Sequence, residues 1–236
     1  MTKEERGKRD WDKIKADILE QKKKGELTCG NGERLFDRLY FLRGFENLMI
    51  DIATDDPHLP ELIEKLTDYE LRLVKMSLDL RVDVVGFHTD IGTQNSLMLS
   101  PVKFRKYIKP MFCKIFQTCR KAGAHVVLSS DGRLLEIVDD LIECGVSAHD
   151  PQIRANTLEG IVKTYKGKLC ANVDLDRQGF PFASPKELRQ EVKEVVDAMA
   201  GPEGGLMVMA SFWGGADIPL RNIAAICEAM EDYCFQ

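Results

Sequence analysis

Four strand-like runs in the middle of this chain each end in a polar cluster built around an aspartate, and each leads into a helical pattern. They are residues 82–90 (VDVVGFHTD), 125–131 (HVVLSSD), 146–150 (VSAHD) and 169–174 (LCANVD). Parallel strands that alternate with helices bring all their carboxyl ends to one rim, where α/β enzymes build their sites. The series therefore predicts that Asp90, Asp131, Asp150 and Asp174 share one rim.

The same rhythm runs along most of the chain. Residues 1–26 read as a polar amphipathic helix with a narrow apolar stripe of Trp11, Ile14, Ile18 and Leu19, stopped by Gly25. A short strand at 27–29 meets Gly30-Asn31-Gly32, which reads as a tight turn. A helix follows through Phe36, Leu39, Tyr40 and Leu42, and a long one over 59–80 carries Pro60 in its first turn. Ser100-Pro101 starts a helix that runs to Gly123, and Gly145, Gly167 and Gly201 stop later ones. The strands near 125, 146 and 168 recur about every 22 residues, the spacing of short βα units. Ser184-Pro185-Lys186-Glu187 is a capping box, and the C-terminal helix begins near Pro219.

Six strands, near 27, 83, 125, 146, 168 and 205, thus alternate with helices. They are apolar enough to be buried on both faces, as parallel strands are. The fold class is parallel α/β, with residues 1–26 as an N-terminal extension and 27–236 as the main domain. The pattern alone fits either a partial barrel or an open sheet.

With 236 residues and 44% of them hydrophobic, the chain can bury one sizeable core. The net charge of −5 is mild, and the basic run Lys22, Lys23 and Lys24 reads as a solvated helix face, not a nucleic-acid site. Seven cysteines without a CxxC pair read as reduced thiols of a cytoplasmic protein. No apolar run approaches the roughly 18 residues of a membrane span.

The candidate chemistry lies in the loops after the strands. His88, Asp90 and Gln94 fall in the first; Ser129 and Asp131 in the second; His149 and Asp150 in the third. Asp131 before a helix is also an ordinary N-cap, and Asp150-Pro151 an ordinary turn starter. The fourth loop, Asn172-Val173-Asp174-Leu175-Asp176-Arg177-Gln178, is the hardest to explain structurally. Asn172 and Asp174 share one face of a strand, and five of its seven residues are polar. Asp90, Asp131 and Asp174 are the catalytic candidates. His88, Gln94, Ser129, His149, Asn172, Arg177, Gln178 and Trp213 are the substrate-binding ones. His88/Asp90 and His149/Asp150 offer zinc ligands, but without a metal-binding spacing. There is no G-x-S-x-G elbow, dinucleotide fingerprint or P-loop.

These loops resemble the uroporphyrinogen decarboxylase family, which also holds methyltransferases of corrinoid metabolism. The resemblance rests on Gly92-Thr93-Gln94, Leu99-Ser100-Pro101-Val102-Lys103-Phe104-Arg105, Ser129-Ser130-Asp131-Gly132, Gly145-Val146, Ala171-Asn172-Val173-Asp174 and Pro219-Leu220-Arg221-Asn222-Ile223-Ala224-Ala225-Ile226. It implies a (β/α)8 TIM barrel, often dimeric, of which this chain resembles the last six βα units. The family's N-terminal Arg-rich loop and catalytic aspartate have no matching stretch here, and a second polypeptide would supply the absent strands. Ser129 and Asp131 stand where zinc-dependent members carry His-x-Cys, so the resemblance points to a branch of corrinoid-linked demethylases instead. It implies methyl transfer between a small methylated or methoxylated substrate and a corrinoid, on a corrinoid protein partner, with no tightly bound cofactor. Tetrapyrrole decarboxylation is the alternative, and a non-catalytic subunit of a split enzyme a third reading.

Overall fold

Strand order decides between the two architectures that the strand count allows. A computed structural model describes residues 10–212 and 217–235. It holds six parallel strands in one sheet, and their order in space is their order in the chain. The strands are β1 (Cys29–Asn31), β2 (Val84–His88), β3 (His125–Ser129), β4 (Ala148–His149), β5 (Cys170–Asp174) and β6 (Leu206–Met209). An open doubly wound sheet reverses its order at a switch point. Here each strand pairs with the next, as it does around a barrel wall. The fold is therefore of (β/α)8-barrel type, represented by six consecutive strands.

Among the described residues, the helices of seven residues or more are α1 (Trp11–Lys23), α2 (Leu35–Arg43), α3 (Phe45–Thr54), α4 (Leu59–Asp79), α5 (Lys109–Lys121), α6 (Val138–Cys144), α7 (Leu158–Tyr165), α8 (Pro185–Met199) and α9 (Leu220–Cys234). Strand alternation separates two faces. Val85, Phe87, Val126, Leu128, Ala171 and Val173 are buried towards the helices. Gly86, His88, Val127, Ser129 and Asn172 line the more open concave face. The core between sheet and helices contains an aromatic row. Phe87 lies 4.9 Å from Phe116, Phe116 lies 5.1 Å from Phe112, and Phe112 lies 5.9 Å from Phe104, centroid to centroid. Offset and edge-on rings at such separations add to their area burial.

Four local features depart from the sequence reading. Gly30 and Asn31 are strand, not turn, and the Gly32 amide continues the ladder onto the Gly86 carbonyl at 2.8 Å. The glycines are there for closeness: a Cβ on Gly32 would sit 2.2 Å from the Phe87 ring. The helix read through Leu42 is present as α2, but a second helix that the sequence reading lacked, α3, follows it at Gly44, where φ is +85°. The helix from Ser100 to Gly123 widens into a π-helical turn over Phe104–Ile108. Pro110 lacks an amide to donate there, and the Lys109 amide reaches back five residues to the Phe104 carbonyl.

The fourth departure concerns the thiols. Cys113 on α5 and Cys144 at the end of α6 form a disulfide, so the expectation of uniformly reduced cysteines is corrected. Residues 31 apart in sequence become neighbours because consecutive βα units pack side by side. Cys29, Cys119, Cys170, Cys227 and Cys234 are free. No helix among the described residues is long and apolar enough to cross a membrane.

The loops after β2 and β3 touch through two glycines. A Cβ on Gly132, whose φ is +92°, would lie 2.4 Å from the Gly92 carbonyl carbon. The Arg133 amide also donates to the Thr93 carbonyl at 2.8 Å. Gly132→Ala should destabilise the fold by about 3 kcal/mol, combining left-handed strain with overpacking. Gly167, with φ +74° and open space around its Cβ position, should cost only about 1 kcal/mol as Gly167→Ala. Urea unfolding of both variants checks the contrast; equal losses would show that the loop contact carries no weight.

Candidate active site

At the carboxyl ends of parallel strands the backbone leaves the ladder, and its amides need other acceptors. In this rim the acceptors are side chains of neighbouring loops. Asp37, in the first turn of α2, accepts the Asp90 amide at 2.9 Å. Asp90 in turn accepts the Asp131 amide at 3.0 Å. Asp150 accepts the Ser130 amide at 3.0 Å and the Ser129 hydroxyl at 2.5 Å. Gln152 accepts the Gly132 amide at 2.9 Å, and Glu191 accepts that of Asp176 at 2.8 Å. The buried Asn156 closes the arrangement, accepting from the Leu134 amide and donating to the Gly132 carbonyl.

Asp174 is the exception. It is 2% exposed, and its Oδ1 has no hydrogen-bond partner. Its Oδ2 has weak company, with Gln152 Nε2 at 3.5 Å and Arg177 Nε at 3.9 Å. Burial pushes its pKa up to about 6, against the lowering effect of Arg177 and Gln152, and the charges of Asp131 and Asp150 add to the rise. Burial also raises Asp150 and Glu191, although hydrogen bonds to Ser129 and Ser130, and to the Asp176 amide, oppose it.

Asp174 shares a narrow cleft with Gln94, Gln152, Arg154, Leu175, Asp176, Arg177 and Gln178. Arg177 donates to Asp131 at 2.8 Å, which ties the β3 loop to the β5 loop. The structure thus brings together five sequence candidates: Gln94, Asp131, Asp174, Arg177 and Gln178. His88 and Ser129 are paired in register on the concave face, and Asn172 directs its amide towards Met209 Sδ at 3.8 Å. Asp90 serves as a loop tie. His149 lies on the opposite face, fully buried and stacked on Tyr165, whose hydroxyl is 2.9 Å from Nδ1. Burial lowers its pKa to about 4, so the ring is neutral. Trp213 lies outside the described residues.

Asp37, Gln152, Asp176 and Glu191 also hold this rim together, and the sequence pattern does not single them out. Asp37 and Glu191 sit inside helical patterns, where acidic residues read as solvent-facing. Asp176 and Gln152 were visible only as part of polar runs. A thiolate–zinc centre does not fit the rim: Ser129 and Asp131 supply no thiolate. Among the described residues, no three His, Cys, Asp or Glu side chains converge to hold a metal ion.

Residues 37–233 match the family model for uroporphyrinogen decarboxylase (URO-D). The chain belongs to the uroporphyrinogen decarboxylase family. Two curated members named uroporphyrinogen decarboxylase, from two strains of Thermus thermophilus, are 28% and 27% identical over 149 residues. Those alignments cover 61% of this chain and 40% of each relative, so the chain matches about two fifths of their length. A methyltransferase from Methanosarcina mazei superposes with a TM-score of 0.66 at 17% identity, covering 92% of this chain and 62% of that one. D-psicose 3-epimerase superposes with a TM-score of 0.55 at 11% identity, covering 96% and 84%. At these identities the two structures speak for the barrel-type fold.

The Asp174 environment has a thermodynamic signature. Its pKa in the fold lies above the ordinary carboxylate value, so its contribution is fully present below about pH 4. That contribution is lost as pH rises through about 6. Asp174→Asn should flatten this decline by about 2–3 kcal/mol between pH 4 and 7. Chemical denaturation across that range measures it, and an unchanged slope would show that Asp174 is not held in a desolvated site.

Proposed function

We propose that this family member is a methyltransferase-like enzyme, moving a methyl group between a small methoxylated or methylated substrate and a corrinoid. The observation that carries the reading is Asp174, a buried carboxyl at the rim with one oxygen unpartnered and a pKa raised to about 6. A carboxylic acid tuned towards neutrality is what protonation of a poor leaving oxygen requires. In the demethylation direction the methyl–oxygen bond breaks, the oxygen takes the Asp174 proton, and the methyl group goes to the acceptor. The corrinoid, delivered by a partner protein, supplies the nucleophilic acceptor. Gln94 and Gln178 line the cleft, whose volume of about 10 Å³ admits only the reacting methyl–oxygen end of the donor, and Gln152 and Arg177 hold the acid. The structural similarity to a methyltransferase supports the same reading.

Decarboxylation of a tetrapyrrole, suggested by the relatives' name, is the second reading. It needs arginines free to hold many substrate carboxylates, and Arg34, Arg133, Arg154 and Arg177 at this rim each pair with a carboxylate of the chain.

Methyl transfer from a methoxy-arene to reduced cobalamin, followed by the cobalamin spectrum, is the direct test. Activity in the unmodified protein, falling about 10²–10⁴-fold in Asp174→Asn, is the expected result. A spectrum that stays unchanged with the unmodified protein, beside turnover of uroporphyrinogen, would replace this reading with the second.

A further inference from the structure

We propose that the methyl donor taken by this site is a small methyl ether that bears no carboxylate or other negative charge. The inference rests on the methyl-transfer reading and adds the charge class of the substrate. Holding a substrate anion in a partly dry rim takes a guanidinium with its donors free. Four arginines, Arg34, Arg133, Arg154 and Arg177, stand in the rim loops, and each already serves a carboxylate of the chain, Arg34 that of Asp37 at 3.5 Å. Arg177 donates to Asp131 at 2.8 Å, Arg154 to Asp176 at 2.7 Å, and Arg133 to Glu136 at 3.3 Å. Around them lie Asp90, Asp150, Asp174 and Glu191, without a close cationic partner of their own among the described residues. The nearest is Arg177 Nε, 3.9 Å from Asp174. An incoming anion would meet a net negative field and would have to share a guanidinium already paired with a carboxylate of the chain.

The unpartnered Asp174 Oδ1 points the same way. An oxygen buried to this degree without a hydrogen bond is costly and rare. An ether oxygen satisfies it when the carboxyl holds the proton, and a hydroxyl or ammonium satisfies it when it does not. The rim carboxylates are spread over different strands and tied to different loops. Among the described residues, no three of them converge as a metal would need. The field therefore suits an organic molecule that is uncharged or positive.

Three probes with one ring separate the cases: 3-methoxybenzyl alcohol, 3-methoxybenzylamine (a cation at pH 7) and 3-methoxybenzoate. Calorimetry on the unmodified protein should show the alcohol and the ammonium binding at least about tenfold tighter than the benzoate, a difference of about 1.4 kcal/mol. Asp131→Asn releases Arg177 and should strengthen benzoate binding about fivefold or more. Benzoate binding as tight as the alcohol overturns the charge selection, and methyl transfer measured in parallel then shows whether the parent reading survives. Absence of binding by all three probes, together with an unchanged cobalamin spectrum, overturns both.

Discussion

A parallel strand that leaves its sheet strands its own backbone amides, and this rim is organised around the need to satisfy them. The solution is a chain of side-chain acceptors, each borrowed from a neighbouring loop: Asp37 for Asp90, Asp90 for Asp131, Asp150 for Ser130, Gln152 for Gly132, and Glu191 for Asp176. Carboxylates that look like an assembly of acids are thus mostly struts. Each stays in place because removing it would orphan an amide on the next loop. Among the acids lining the cleft, Asp174 stands apart because its neighbours leave one of its oxygens alone. The other rim acids serve the chain itself, most of them through backbone amides and Asp131 through Arg177.

That division explains how far the sequence could be read. Six strands, their order along the chain and the placement of aspartates at their ends follow from periodicity and glycine stops, and the structure agrees with them. The capping box at Ser184 and Glu187 is present as read. What the sequence could not display is direction. His149 and Asp150 are adjacent, yet the period of two sends one ring to the helices and the other side chain to the rim. Nor could it display service. Whether a carboxylate faces a ligand or an amide depends on loops 20 to 40 residues away, such as the Asp131 amide on Asp90. Asp37 was hidden for the same reason, since an acid in a first helical turn has an ordinary local explanation.

The arginines tell the complementary story. Their number at the rim suggests capacity for anions, but each is already paired with a carboxylate of the chain. An ion pair such as Arg177 with Asp131 removes a charge from the binding field and gains a cross-link between the β3 and β5 loops. The electrostatic character of such a rim is therefore set by what is left unpaired, not by its composition.

The contact between Gly92 and Gly132 constrains how a site like this can diverge. With no room for a Cβ on either glycine, the loops after β2 and β3 form one mechanical piece, and neither can be lengthened or reshaped without its neighbour. Variation is easier beyond β4, where the Arg177 loop is held by side chains that substitution can exchange one at a time. Relatives sharing this glycine pair should keep a common floor under the reacting group and differ in the wall that meets the rest of the substrate.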